Sequence, residues 1–324
     1  MRSSECHKRP SFKCIGYMRL FSSIFLQLVC FSTISIVSSF MTPADYAQLH
    51  RFPETTRKPR AEFPQWLRDI TKLKSWPGES PPYIGSAEVD LSDIATGPRY
   101  RLDNACDYGS AICSFNCEYC LGPNDIMHCG ELIQSFDDGP NEETTQLISY
   151  FNQVQKKVSF FVVGLQVLAY PDIFRSEYVS GHFVASHSYS HVYLPSLTNR
   201  KIAAQFQWSI WAMNATASVI PRYFRPPYGG LDNRVRAIAA KFGLTPIVWD
   251  LDTDDWCMIT KSRTADEVYA DVKQWIRDDQ TGIILEHDLT QETVAVGIEI
   301  SKILGNRNRT VTVDCKNPGA PWYA

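Results

Sequence analysis

The chain has 324 residues, room for one large domain with extensions or for two ordinary domains. At 44% hydrophobic and 21% charged it has the composition of a soluble globular protein, which excludes general disorder, collagen-like repeats and a polytopic membrane protein. A formal net charge of −3 supplies no basic field for nucleic acid and suits a neutral or cationic partner.

Residues 1–39 begin with Arg2, Lys8, Arg9, Lys13 and Arg19, continue through an apolar stretch at 20–37 and end on the small residues Ser38 and Ser39. That is the pattern of a secretory signal; an uncleaved anchor is the alternative, and Ser22, Ser23, Gln27, Ser32 and Thr33 within the stretch favour cleavage. Cleavage removes five cations and one anion, leaving 27 basic against 34 acidic residues, a net −7. The expected location is secreted or cell-wall. No hydrophobic tail closes residues 318–324, so a GPI-type anchor is not expected.

From 40 to 105 the chain is punctuated by eight prolines between Pro43 and Pro98. It reads as an extended segment wrapping a larger body, with one short helix over 64–76. Residues 106–129 then hold five of the seven cysteines left after cleavage: Cys106, Cys113, Cys117, Cys120 and Cys129, the others being Cys257 and Cys315. Cys117-x-x-Cys120 with its neighbours fits a zinc knot or disulfides, and an oxidising compartment favours disulfides. Seven is odd, so one thiol is free or pairs elsewhere. A disulfide from Cys257 into 106–129 would pin that segment near Trp256. Two glycosylation sequons, at Asn214 and Asn308, agree with secretion.

From 130 to 305 the pattern alternates. Strands are expected at 131–136, 158–163, 182–186, 223–224, 245–249 and 282–286, with helices at about 143–156, 171–179, 198–217, 232–242, from Thr264, and 291–304. Thr264 and Glu267 form a capping box, and Gly243 is placed as a left-handed stop. Such alternation predicts a parallel α/β sheet, open or closed into a barrel. Residues 306–324 form a tail.

Ionisable clusters follow five of these strands: Asp137-Asp138-Gly139-Pro140, His187-Ser188-Tyr189-Ser190-His191, Arg225-Pro226-Pro227-Tyr228, Asp250 to Trp256, and His287-Asp288. The C-terminal ends of parallel strands are where barrel enzymes build their sites. The histidine pair is the sharpest of these signals, because i,i+4 spacing in a helical turn points both imidazoles one way and suits two metal ligands. Adjacent aspartates are weaker evidence: Asp254-Asp255 and Asp278-Asp279 also occur, and the last pair reads as a solvated helix end. His128 and His182 read as structural. Phe206, Trp208, Trp211 and Met213 read as core.

These clusters, taken with Ser135-Phe136-Asp137-Asp138-Gly139-Pro140, Asp252-x-x-Asp255-Trp256 and Ile283-x-Leu285-x-His287, resemble the five ordered motifs of the polysaccharide deacetylases, carbohydrate esterase family 4 with the NodB homology domain. The likeness is nearest to secreted fungal chitin deacetylases. It covers about residues 129–305 and implies a distorted (β/α) barrel of about seven parallel strands carrying a Cys-rich N-terminal extension.

The resemblance further implies that Asp138, His187 and His191 hold one divalent metal, zinc before cobalt or manganese. Asp137 would be the general base, His287 the general acid and Arg225 the residue orienting Asp137. Asp255 would pair with either Arg225 or His287. The backbone N–H of Tyr228 would hold the oxyanion, and Trp256 and Leu285 would line a sugar-sized groove, with plain core packing as their alternative.

The expected partner is chitin or its oligosaccharides, with no nucleic acid and no stable membrane insertion; nothing in the sequence sets an oligomeric state. A deacetylase of peptidoglycan or acetylxylan, or a non-catalytic chitin-binding wall protein, are the alternatives. Gln134, where an apolar residue is more frequent, and Ser135, in place of Thr, are the departures from the family pattern.

Overall fold

A computed structural model describes residues 60–85, 89–307 and 321–324. The signal segment, Cys315 and the Asn308 sequon lie outside these residues.

Seven parallel strands form one sheet: β1 (Leu132–Asp137), β2 (Ser159–Val162), β3 (Phe183–Ser186), β4 (Tyr223–Phe224), β5 (Thr245–Pro246), β6 (Leu251–Asp252) and β7 (Gly282–His287). Their order across the sheet is β5-β4-β3-β2-β1-β7-β6. The helices are α1 (Gln65–Thr71), α2 (Phe115–Glu118), α3 (Thr144–Gln153), α4 (Gly164–Ala169), α5 (Pro171–Val179), α6 (Asn199–Ala217), α7 (Asn233–Lys241), α8 (Ala265–Arg277) and α9 (Gln291–Leu304).

Side-chain caps fix where helices begin. Thr198, Asp232, Thr264 and Thr290 each accept a backbone N–H from the first turn of α6, α7, α8 and α9. The Thr264–Glu267 box forms in full, and Gly243 follows α7 with φ +67°.

One expected strand, 245–249, is not continuous. Its start is β5, at one end of the strand order, and the chain resumes as β6 at the other end. Five Cα steps join Pro246 to Leu251 and reach at most about 18 Å. A flat seven-strand sheet would set its edges roughly 29 Å apart. The sheet must therefore curl until its edges nearly meet, which is the distorted barrel. Ile126 pairs with the connecting segment, donating its N–H to the Pro246 carbonyl and accepting from Val248 N–H, and Asp250 N–H then reaches the Ile283 carbonyl of β7. Residues 245–249 cannot run straight because they turn this corner.

Every residue of β1, β2, β3 and β7 is buried, as a sheet covered on both faces requires. Period-two alternation divides them between cores. Ile133, Phe161, Phe183, Ala185, Ile283 and Leu285 face one core. Phe136, Phe160, Val162 and Val184 face a second, shared with α3 to α6 and with Phe63, Leu67 and Trp76 of the N-terminal segment. Leu132, Leu251 and Ile284 face a third beneath α8 and α9. Ser135, Asp137 and His287 share the first face.

In the cysteine-rich stretch, Cys106 bonds Cys117 and Cys113 bonds Cys120, as expected of disulfides rather than a zinc knot. Cys129 and Cys257 are disulfide-bonded as well, and of the five cysteines in 106–129 only Cys129 is left to reach Cys257. No helix among the described residues is long and apolar enough to cross a membrane.

Candidate active site

Asp137 and His287 lie side by side, in register at the ends of β1 and β7. Asp137 Oδ1 accepts from Arg225 Nη1 at 2.7 Å, and the same nitrogen donates to Ser135 Oγ at 2.9 Å. The guanidinium is fully buried, 3.7 Å from the centre of the Phe161 ring. Burial pulls the Arg225 pKa down, and the Asp137 charge opposes that pull. A salt bridge this dry holds both groups in one geometry, since removing either partner strands a buried charge.

Asp255 resolves the choice of partner left by the sequence: it engages His287. Its Oδ1 lies 2.7 Å from His287 Nδ1 and its Oδ2 accepts the His287 backbone N–H at 2.8 Å. Burial alone would lower the His287 pKa, but the charge and hydrogen bond of Asp255, with Asp138 and Asp137 beyond, push it up to about 10. Its Nδ1–H is committed to Asp255, so Nε2 is the nitrogen that can exchange a proton with the site.

Asp138, His187 and His191 form a buried cluster whose ligand atoms all lie within 4.8 Å of one another. Asp138 Oδ1 is 3.4 Å from His187 Nε2 and 3.0 Å from His191 Nε2. His187 Nδ1 sits 2.8 Å from the Arg225 carbonyl. A carbonyl only accepts, so Nδ1 carries the proton and Nε2 turns its lone pair toward Asp138, the arrangement a metal-ligating histidine needs. Two imidazole nitrogens and one carboxylate, buried together, fit a divalent metal with an open coordination position.

The loops that carry these groups are strained. Asp138, Ser188, His191, Tyr228 and Asp254 are all non-glycine residues with positive φ, at +84°, +63°, +54°, +60° and +48°. Each left-handed residue costs roughly 1–2 kcal/mol, so tertiary contacts must hold it. The His187–His191 segment is accordingly a tight turn and not the helical turn that its spacing suggests. Its two left-handed residues, rather than a helix face, bring the imidazoles together. Two glycines make room. A Cβ on Gly139 would lie 2.1 Å from the Asp288 carboxylate, and one on Gly164 would meet the Tyr189 ring at 2.7 Å.

The Tyr228 ring lies tilted against His191, centroids 4.6 Å apart, and like Cys117 and Ile112 of the cystine segment it packs on the buried Tyr100–Tyr193 pair. Trp256 is half-buried beside Asp255, whereas Leu285 is buried in the first core, two residues below His287 on the same face. Among the residues read as structural, His182 Nδ1 accepts from Val158 N–H, and burial together with Lys157 lowers its pKa to about 4. His128 pairs with Asp250 at 2.5 Å. Gln134, the departure in β1, donates to Glu286 and to the Gly297 carbonyl behind the sheet.

Sequence reasoning missed Ser135 as the second acceptor on Arg225, and Gln205. Buried Gln205 accepts the N–H groups of Tyr189 and Ser190 at 3.1 and 3.0 Å. Its place in the middle of α6 carries no local signal of that role.

The signature of the polysaccharide deacetylases matches residues 126–247, a stretch that includes Asp137, Asp138, His187, His191, Arg225 and Tyr228. The chain is 40% identical over 295 residues to Chitin deacetylase 2 of Saccharomyces cerevisiae, covering 89% of this chain and 93% of that one. It is 43% identical over 251 residues to Chitin deacetylase 1 of the same yeast, covering 77% and 82%. Its fold matches the chitin deacetylase from Colletotrichum lindemuthianum with a TM-score of 0.54 and 25% identity, over 62% of this chain and 95% of that one. With site residues, barrel and whole-length relatives in agreement, the chain belongs to the polysaccharide deacetylase family.

Proposed function

We propose that the chain is a secreted, metal-dependent chitin deacetylase that hydrolyses N-acetyl groups of N-acetylglucosamine units to give chitosan and acetate. The relatives named chitin deacetylases support the substrate, and paired cystines and the signal-like leader support secretion. One observation carries the chemistry: Asp137 fixed by Arg225 and His287 fixed by Asp255 stand in register beside the Asp138–His187–His191 cluster.

When bound, a divalent ion, zinc in this reading, would lower the pKa of a coordinated water to about 7. Asp137 Oδ1 is occupied by Arg225, while Oδ2 faces the cluster, 3.7 Å from His187 Nε2. Oδ2 is therefore the oxygen placed to take the proton of the attacking water. His287 gives its Nε2 proton to the departing nitrogen, which leaves as an amine because an amide anion is a very poor leaving group. A bound cation offsets the push that Asp138 and Asp137 give His287, and Asp255 maintains the rest. The Tyr228 backbone N–H would hold the tetrahedral oxyanion, a contact of a kind worth about 2.7–4 kcal/mol. Trp256 would offer an aromatic face to a sugar ring, with Leu285 as the floor beneath.

The division proposed with this function is a signal at 1–39, a wrapping segment at 40–105, a disulfide segment at 106–129, the catalytic domain at 130–305 and a tail at 306–324. Acetate release from chitin oligomers, acetylxylan and peptidoglycan by one zinc-loaded preparation tests the assignment. Chitin oligomers should be the preferred substrate; release only from one of the other two would reassign the substrate, and chitin binding without release would reassign the class.

A further inference from the structure

The turn that carries His187 and His191 is held from outside the barrel. Tyr189 Oη donates to the Pro77 carbonyl at 2.7 Å, and Ser190 Oγ donates to the Glu79 carbonyl at 2.7 Å. Gln205 joins the two: its Oε1 accepts from the turn, and its Nε2 donates to Glu79 O at 3.2 Å and to Ser190 Oγ at 2.9 Å. Further along α6, Trp208 Nε1 donates to Pro82 O at 2.7 Å and Gln207 exchanges hydrogen bonds with Ile84 at 2.9 and 3.0 Å. The Trp76 and Phe63 rings pack on Trp208. Residues 77–84 thus run along α6, bound through their backbone to three of its side chains, and end against the turn whose Ser188 and His191 are left-handed.

We infer that residues 77–84 are a positioning strap for the His187–His191 turn, with Gln205 as the residue that couples strap, helix and turn. The inference rests on the metal reading of Asp138, His187 and His191. The strap lies before the stretch that carries the family signature, so the barrel borrows a support for two of its ligands from the N-terminal extension. Prolines suit a strap of this kind, since Pro81 and Pro82 fix the backbone and leave carbonyls as the contact atoms. Gln205 is a positioning residue, because it holds the turn and not the ligand atoms.

The test is Co²⁺ binding by the full chain, read as apparent affinity and visible absorption, with thermal melting in parallel. Gln205→Leu and Ser190→Ala should weaken cobalt binding several-fold, up to the roughly 10–100-fold that losing a direct outer hydrogen bond to a ligand costs. Ser190→Thr, which keeps the hydroxyl, should recover it. Ile300→Val, in the third core, should lower the melting temperature without moving affinity or spectrum. If Ser190→Ala and Gln205→Leu melt earlier yet bind cobalt like the parent, the strap is only structural and the inference fails. If the parent itself takes up no cobalt, the metal reading falls and the strap's role falls with it.

Discussion

Asp137 and Asp138 are neighbours in the chain with opposite surroundings. One meets a buried guanidinium and the other two imidazoles, and that difference is what permits separate roles. Asp137→Asn keeps shape and hydrogen bonding but cannot accept a proton. Acetate release should fall about 10²–10⁴-fold while zinc content is retained; retained release would remove Asp137 from the base role.

For His287 the sign runs the other way. As the proposed acid it must be protonated, so activity should be present below its raised pKa and lost as pH climbs through it, at a value that a bound cation sets below the metal-free site's value of about 10. Asp255→Asn deletes the charge 2.7 Å from Nδ1, and the alkaline limb of kcat/KM should move down by roughly 1–3 units. A limb that stays in place would mean that another group titrates there. Both residues are legible in the sequence because each closes a strand. Their partners are less so: nothing in the spacing distinguishes Arg225 from His287 as the mate of Asp255, since that depends on how β6 and β7 come together.

At the scale of elements, long apolar strands and capped helices are written in local pattern, and β1, β2, β3 and β7 appear close to where alternation puts them. The corner between β5 and β6 is not, because a bend imposed by sheet closure leaves no periodic trace. The left-handed turn of His187–His191 escapes the sequence for a related reason: Ser188 and His191 are held by distant groups. The cystine segment is a third case. Two disulfides announce a staple, but what it staples is read only from Phe115, which is fully buried, donates its N–H to the Leu231 carbonyl and packs edge-on against Trp249. That ring also lies under Gly229, beside Tyr228. Phe115→Ala should cost about 3–5 kcal/mol in urea denaturation and depress kcat, because the cavity opens below the loop that carries Tyr228. A loss under about 1 kcal/mol would mean that the segment merely rests on the barrel.

For the whole molecule, a metal held by Asp138, His187 and His191 would also be a fold ligand. These three residues sit on the loops after β1 and β3, which β2 separates, so binding would tie together strands that the sheet alone holds by hydrogen bonds. The folded state alone assembles the site, and free zinc at 100 times its dissociation constant should therefore add about 2.7 kcal/mol of stability. For a domain of this size each kcal/mol moves the melting temperature by about 2–4 °C, so chelation should lower it by roughly 5–11 °C. His187→Ala should melt near the chelated parent and show no response to zinc, whereas Asp137→Asn should still respond. A parent protein whose melting is indifferent to zinc and chelator would show that the cluster does not bind metal at these concentrations, and Asp138 with its two histidines would then need a different account.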